Sequence, residues 1–308
     1  MRPASSLARP RDSSLTLRMT RGTSFGGASR HVIYLGVAVE LGVRSRKIID
    51  SVSQRRVYRD VFEIGIVAFA FLLYFLVRGS VVDRDAEALG NALDVIRVER
   101  QLGFFWEPQL NEAVLDYGAL IQFFNAIYFW MDFPLIVALA LWMYFFGHRH
   151  EYTIARDALL ASGAIALVVY HLFPVAPPRL LPPEYAFIDT LDQYTHISYQ
   201  AQSLQPFVNP YAAMPSLHYG WAVLVGGVLF WTTKNVWLRA LAVSLPIGQF
   251  TAILFTANHY ILDAMGGLVV ALMGLLIALA LQGWGYPMLR RAIERRSGAG
   301  DAANAASP

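Results

Sequence analysis

Two histidines and an aspartate in the second half of the chain have the types and spacing that suit phosphoryl transfer. His218 follows Pro215 and Ser216 at the start of one long apolar segment, and His259 precedes another, with Asp263 four residues later. Residues four apart share a helix face, so we expect the Asp263 carboxylate to orient the His259 imidazole. Pro215 fits the first turn of a helix, whose free N–H groups attract anions. Ionisable groups beside membrane-length segments are functional candidates by default.

Three further residues could hold a phosphate group. Arg179 is the single basic residue of the connection over residues 174–213, and a guanidinium suits bidentate phosphate binding. It could equally anchor the chain to lipid headgroups. Ser216 could contact phosphate or simply cap a helix, and Asn258 precedes the second histidine. We therefore predict His218, His259 and Asp263 as catalytic residues, and Arg179, Ser216 and Asn258 as phosphate ligands.

The composition indicates a membrane protein. Hydrophobic residues make up 56% of the 308 residues and charged residues 15%, far from the balance of a soluble domain. Cysteine is absent, which excludes disulfides, thiolate zinc sites and a cysteine nucleophile. We expect no cofactor, no bound metal and no nucleic-acid partner.

Charge and hydropathy together predict an all-α membrane bundle of six spans. The predicted spans are residues 61–77, 131–146, 154–173, 215–231, 238–255 and 260–281. Basic clusters flank them on one side, so both termini are expected in the cytoplasm, with the site facing outward from an inner (plasma) membrane. The predicted organisation is a basic disordered tail over 1–56, a membrane domain over 57–285 and a basic tail over 286–308.

The connection after the first span is expected to be helical without crossing the bilayer. Residues 78–111 carry Leu89, Leu93, Ile96 and Leu102 at helical spacing, which predicts an amphipathic helix on the outer face. Residues 113–146 are apolar for longer than one span needs. We favour a re-entrant helix over 114–130 followed by one span, and two crossings remain the alternative.

These residues resemble the signature blocks of the type 2 phosphatidic acid phosphatase (PAP2) superfamily, over about residues 131–281. The blocks are written K-x6-R-P, P-S-G-H and S-R-x5-H-x3-D, and they correspond to Arg179, the run ending at His218, and the pair His259 and Asp263. Several block positions differ, and these are Leu172, Leu180, Leu217, Ala252 and Ile253. Blocks with fewer cations are similar to the inositol-phosphorylceramide synthase and sphingomyelin synthase branch, which transfers phospho-headgroups between lipids.

The residues and the resemblance predict the same mechanism. His259, aligned by Asp263, attacks phosphorus to form a phosphohistidine, and His218 acts as general acid and then general base. The expected substrate is a lipid phosphate with a polyol or lipid acceptor, which makes the chain a phosphotransferase. The alternatives are a lipid phosphate phosphatase, a non-catalytic lipid-binding or transport protein, and a metal-dependent hydrolase using the three residues as ligands. Nothing in the sequence indicates the oligomeric state.

Overall fold

The computed structural model describes residues 57–70, 72–77, 80–81, 83–131, 133–146, 148–195 and 209–305. The chain divides into two units, residues 1–65 and 66–308, and the helix bundle with its candidate site belongs to the second. Within the described residues the secondary structure is helical, joined by loops, with an isolated parallel bridge between Val175 and Ala212. The tail predicted over residues 1–56 lies outside the described residues.

Most helices of the described chain follow one another with short connections, and the longer connections are residues 173–189 and 196–216. In chain order they are α1 (Val57–Val77), α2 (Asp85–Leu102), α3 (Glu107–Leu115), α4 (Gly118–Trp130), α5 (Phe133–Phe145), α6 (Arg149–Leu172), α7 (Thr190–Thr195), α8 (Leu217–Thr232), α9 (Val236–Phe255), α10 (Ile261–Ala280) and α11 (Tyr286–Ala305). A π-helical turn, Leu281–Gly285, joins α10 to α11 without a break.

Four helices of the described chain are long and apolar enough to cross a membrane. They are α1, α6, α9 and the continuous helix Ile261–Arg295. A fifth candidate is the pair α4 and α5, which is bent by 45° where the sequence predicted a re-entrant helix followed by a span. The remaining predicted span corresponds to α8, whose 16 residues are fewer than a bilayer crossing usually needs. Six spans therefore stay a prediction, whereas the all-helical membrane architecture is confirmed.

Helix α2 is amphipathic as predicted, but its apolar face is buried in protein. Ile96 is buried, and Leu89 and Leu93 pack beside it against Val175, Ala176, Ala213 and Tyr260. Leu102 was predicted to share this face and is instead 61% exposed. Apolar area on α2 is removed from water by loops that connect the long helices. The helix thus closes one end of the bundle.

Glycines allow α8 and α10 to approach each other closely. A Cβ atom on Gly267 would lie 2.1 Å from the Ser216 carbonyl oxygen, and one on Gly220 would lie 2.5 Å from the Gly267 carbonyl oxygen. Small residues permit such backbone contact between membrane helices. The first turns of α8 and α10 are therefore held side by side, and each of these starts lies beside one of the predicted histidines.

Candidate active site

Three chain segments meet at the closed end of the bundle. The Val175 N–H donates to the Tyr211 carbonyl at 3.0 Å, and the Ala213 N–H donates to the Val175 carbonyl at 3.3 Å. The Arg179 N–H donates to the Ala257 carbonyl at 2.9 Å. These backbone bonds connect the segment after α6 with the one before α8 and the one between α9 and α10. The predicted site residues lie on these three segments and on the helix starts next to them.

His259 is held mainly by a backbone carbonyl. Its Nδ1 lies 2.8 Å from the Ala213 oxygen and 3.4 Å from Asp263 Oδ2. A carbonyl only accepts, so Nδ1 must carry the ring proton and donate it. The neutral imidazole then has its lone pair on Nε2, which is the tautomer that a nucleophilic histidine requires. The predicted shared helix face is wrong, because α10 begins at Ile261 and His259 precedes it.

The protonation state of His259 also suits a nucleophile. His259 is 4% exposed, and burial first, and then the nearby Arg179 cation, lower the pKa of His259 to about 3 against the opposing effect of the Ala213 hydrogen bond. The imidazole is therefore neutral at physiological pH. Its Nε2 lone pair is available without a prior deprotonation step.

Asp263 contacts both the histidine and the start of its own helix. Its Oδ2 accepts from the Tyr260 N–H at 2.9 Å, which forms a capping box at the start of α10. The 3.4 Å separation from Nδ1 is longer than a normal hydrogen bond. Asp263 therefore lies close to the ring without a normal hydrogen bond to it, while Ala213 supplies the shorter contact.

His218 lies in the first turn of α8 and faces the same space. Its ring stacks on Tyr128 with centroids 4.3 Å apart and planes 13° apart, and its centroid is 5.4 Å from that of His259. Ser216 is the N-cap of the helix, and its hydroxyl accepts from the Tyr219 N–H at 3.4 Å. Pro215 thus precedes the cap rather than occupying the first turn as predicted. Ser216 is fully buried and already serves the helix.

Arg179 is positioned by an amide and a carboxylate. Its guanidinium donates from Nη1 to the Asn258 side-chain oxygen, and its Nε lies 3.4 Å from Asp189 Oδ2. The Asn258 NH2 group donates to Thr256 twice, at 3.1 Å to its carbonyl and 2.7 Å to its hydroxyl. Both N–H bonds of that amide are used within the loop. We predicted that Asn258 binds phosphate. This arrangement instead favours a role for Asn258 in orienting Arg179.

A cavity of about 890 Å³ opens beside these side chains. One part of its wall is polar and consists of Arg179, His218, Asn258 and His259. Among the described lining residues, the positive charge of a lysine or arginine comes from Arg179 alone. The rest of the wall is largely apolar and comes from α1, α4, α5, α6 and α8. Its lining residues there include Phe69, Leu73, Phe129, Leu160, Leu167 and Trp221. The shape and chemistry of the cavity fit a ligand with one charged end and a long apolar part.

Sequence reasoning missed several residues of this region. Ala213 acts through its carbonyl, which no side-chain pattern reveals, and Tyr128 belongs to an apolar run in which it reads as core. Glu99 and Glu107 are fully buried beneath the start of α10. Neither glutamate on the amphipathic connection was singled out from the sequence. Among the described residues, no group of three or more His, Cys, Asp or Glu side chains is arranged to hold a metal ion.

Comparison with known proteins gave a family match. Neither the curated proteins nor the solved structures gave a match to this chain. The sequence model of the PAP2 superfamily matches residues 93–277, a range that begins before the resemblance noted above and includes the second half of α2. The matched range covers more than half of the chain and contains Arg179, both histidines and Asp263. On this evidence the chain belongs to the PAP2 superfamily, whose members are generally phosphatases or phosphotransferases.

Proposed function

We propose that this chain is a membrane lipid phosphotransferase that works through a phosphohistidine at His259. The observation that carries the proposal is the 2.8 Å contact between His259 Nδ1 and the Ala213 carbonyl oxygen. The histidine Nδ1–H donates to the Ala213 carbonyl, so Nε2 holds a lone pair beside Arg179 and His218 in one cavity. A neutral nucleophile, a second histidine and a guanidinium are the parts that phosphoryl transfer needs.

In the first step, Nε2 of His259 attacks the phosphorus atom of a lipid phosphate ester. The N–P bond forms from the ring lone pair while the P–O bond to the leaving group breaks. His218 donates its proton to the departing oxygen, and Arg179 neutralises charge on the phosphoryl oxygens. The phosphorylated ring is cationic because Nδ1 keeps its proton. Asp263, 3.4 Å from that nitrogen, stabilises this charge.

In the second step, an acceptor hydroxyl replaces the leaving group. His218, now neutral, takes the hydroxyl proton as the oxygen attacks phosphorus, and the N–P bond electrons return to Nε2. A polyol or lipid alcohol as acceptor gives a new phosphodiester or phosphomonoester. Water as acceptor gives hydrolysis, and this is the alternative phosphatase function. The scheme uses no metal ion.

The charge in the cavity favours a transferase acting on a phosphodiester. Among the described residues that line the cavity, Arg179 supplies the positive charge. In the PAP2 signature blocks a further lysine and arginine are usual, and those positions hold Leu172 and Ile253 here. One guanidinium suits a monoanionic diester better than a dianionic monoester. The apolar remainder of the cavity suits the lipid tail. We further propose that the site faces the extracytoplasmic side of the inner membrane and that both termini are cytoplasmic.

A product assay tests this function. Purified protein in liposomes, in parallel lanes without and with EDTA, is offered phosphatidic acid, a polyprenyl phosphate or phosphatidylinositol, each with and without inositol, glycerol or ceramide. A new phosphodiester that forms only when donor and acceptor are both present is the expected result. Release of inorganic phosphate without an acceptor would establish the phosphatase instead. Loss of all turnover on adding EDTA would favour the metal-dependent hydrolase, and no turnover in any lane would favour lipid binding or transport.

A further inference from the structure

Three carboxylates bind the backbone at the start of α10, directly after His259. Glu99 Oε1 accepts from the Leu262 N–H at 2.8 Å, and Glu107 Oε1 accepts from the Ile261 N–H at 2.8 Å. Asp263 Oδ2 accepts from the Tyr260 N–H, so three consecutive N–H groups each meet a different carboxylate. A helix start leaves its first N–H groups without backbone partners. Here α2 and α3 provide partners from outside the helix.

The three carboxyl groups cannot all be ionised while their second oxygens lack hydrogen-bond donors. Glu99 Oε2, Glu107 Oε2 and Asp263 Oδ1 are buried without a donor, and all three residues are fully buried. Adjacent negative charges in a buried site are strongly unfavourable unless a proton or cation intervenes. Glu99 and Glu107 accept from the adjacent Leu262 and Ile261 N–H groups, which brings their carboxyls close together, and two ionised carboxylates can only accept. A hydrogen bond between them requires one proton on the pair.

We propose that Glu99 and Glu107 share one proton and, as an acid–carboxylate pair, act as positioning residues for His259. The pair fixes the Ile261 and Leu262 N–H groups, and so fixes the chain that runs from His259 into α10. It also ties α2 and α3 to the reaction site. The inference rests on the role proposed for His259, and it adds a source of pH dependence that neither histidine supplies.

The titratable groups facing the pair determine how it responds to pH. They are Asp263 on α10 and Tyr260 just before that helix. Burial first, and then the neighbouring carboxylates, raise the pKa of Glu99 to about 9, and burial raises the pKa of Glu107. A carboxyl whose pKa is raised by folding stabilises the fold fully below its ordinary value of 4.5, and that stability is lost as pH rises through about 9. Loss of the shared proton would leave two negatively charged carboxylates that repel each other beneath the start of α10.

The test uses glutamine, which resembles the protonated carboxyl in shape. In Glu99→Gln or Glu107→Gln, the amide oxygen accepts the backbone N–H, and the NH2 group donates to the remaining carboxylate without a titrating proton. We expect each single variant to keep wild-type turnover at pH 7 within about threefold. Each should also lack the decline in turnover that we expect of the wild type as pH rises through about 9. In the double variant two NH2 groups face each other, so we expect a loss of about tenfold or more. Glu112→Gln, an exposed carboxylate on α3, is the matched control.

Two readouts keep this inference separate from the proposed function. Turnover is measured from pH 6 to pH 10, and thermal unfolding in detergent is measured over the same range. The proposed shared proton would be overturned if the single variants kept the same alkaline decline in turnover as the wild type. It would also be overturned if the double variant lost no more turnover than the single variants. If no phosphate product forms, unfolding decides alone: the wild-type midpoint should fall between pH 7 and pH 10 while the single variants stay level. A wild-type midpoint that is flat over this range would also overturn it.

Discussion

At the scale of single residues, the chemistry depends on which nitrogen of His259 is free. The side-chain types were readable from the sequence, because His, His and Asp beside apolar segments have few other uses. The partner that fixes the tautomer was not readable, since it is the Ala213 carbonyl, 46 residues away in the chain. Its position depends on the bridge between Val175 and Ala212. Tertiary contacts of the backbone leave no signature in residue identity.

Replacing His259 with alanine should abolish turnover. Removing a covalent nucleophile typically costs a thousandfold or more, and we expect a loss of at least about a thousandfold here. The measurement is product formation by the variant after its thermal unfolding midpoint has been checked. Incubation of wild-type protein with donor lipid carrying labelled phosphorus should also give an acid-labile labelled protein, and the variant should give none. His150→Ala, at an exposed position outside the cavity, should behave as wild type. Full turnover by a well-folded His259→Ala protein would contradict the mechanism.

Asn258 should act through Arg179. Replacing it with alanine removes the side-chain oxygen that receives the guanidinium, and a hydrogen bond to a charged group is worth about 1.5–3 kcal/mol. We expect kcat/KM to fall by about tenfold to a hundredfold. Arg179→Lys should also weaken turnover, because an ammonium lacks the planar fork of guanidinium. In the double variant Asn258→Ala/Arg179→Lys, the loss of activation free energy should be smaller than the sum of the losses in the two single variants. Independent, fully additive losses would show that Asn258 has another role.

At the scale of elements, the sequence predicted helix types better than helix partners. The apolar spacing of α2 was clear, but the sequence favoured a helix lying on the membrane, whereas α2 packs on loops of the site. Glu99 lies on that helix, and a glutamate in an amphipathic pattern reads as exposed. Its burial follows from where α10 starts, 162 residues later. Long-range packing of this kind cannot be inferred from periodicity.

The contact between α8 and α10 should be required for turnover as well as for stability. In Gly267→Ala the new Cβ would lie 2.1 Å from the Ser216 carbonyl, so the two helix starts must separate. Overpacking of this kind costs about 1–3 kcal/mol. The shift would move His218 away from His259, so we expect a lower unfolding midpoint and a loss of turnover at temperatures where the variant is folded. Gly227→Ala on α8, where a Cβ would meet nothing within 4 Å, is the control. Equal behaviour of the two variants would contradict the proposed role of the contact.

At the scale of the whole molecule, basic residues are concentrated away from the site. Helices α6 and α9 end beside the site, at Leu172 and Phe255, and α8 begins there. Their opposite ends carry Arg149 and Lys234, and α11 begins a basic stretch with Arg290 and Arg291. Basic connections stay on the cytoplasmic side of a membrane, so this distribution favours a site on the outer side.

Cysteine labelling would test this orientation with little background, because the chain has no native cysteine. Asp192→Cys introduces a thiol on α7, at the site end of the bundle. This helix is attached there through the hydrogen bond between Asn125 and Thr190. Lys234→Cys introduces a thiol between α8 and α9, at the opposite end. Both positions are exposed, and neither lines the cavity, so both variants should retain turnover. In intact cells a membrane-impermeant maleimide should label Asp192→Cys and leave Lys234→Cys unlabelled until the membrane is permeabilised. The reverse pattern would place the site in the cytoplasm, where its lipid donor would have to come from the inner leaflet.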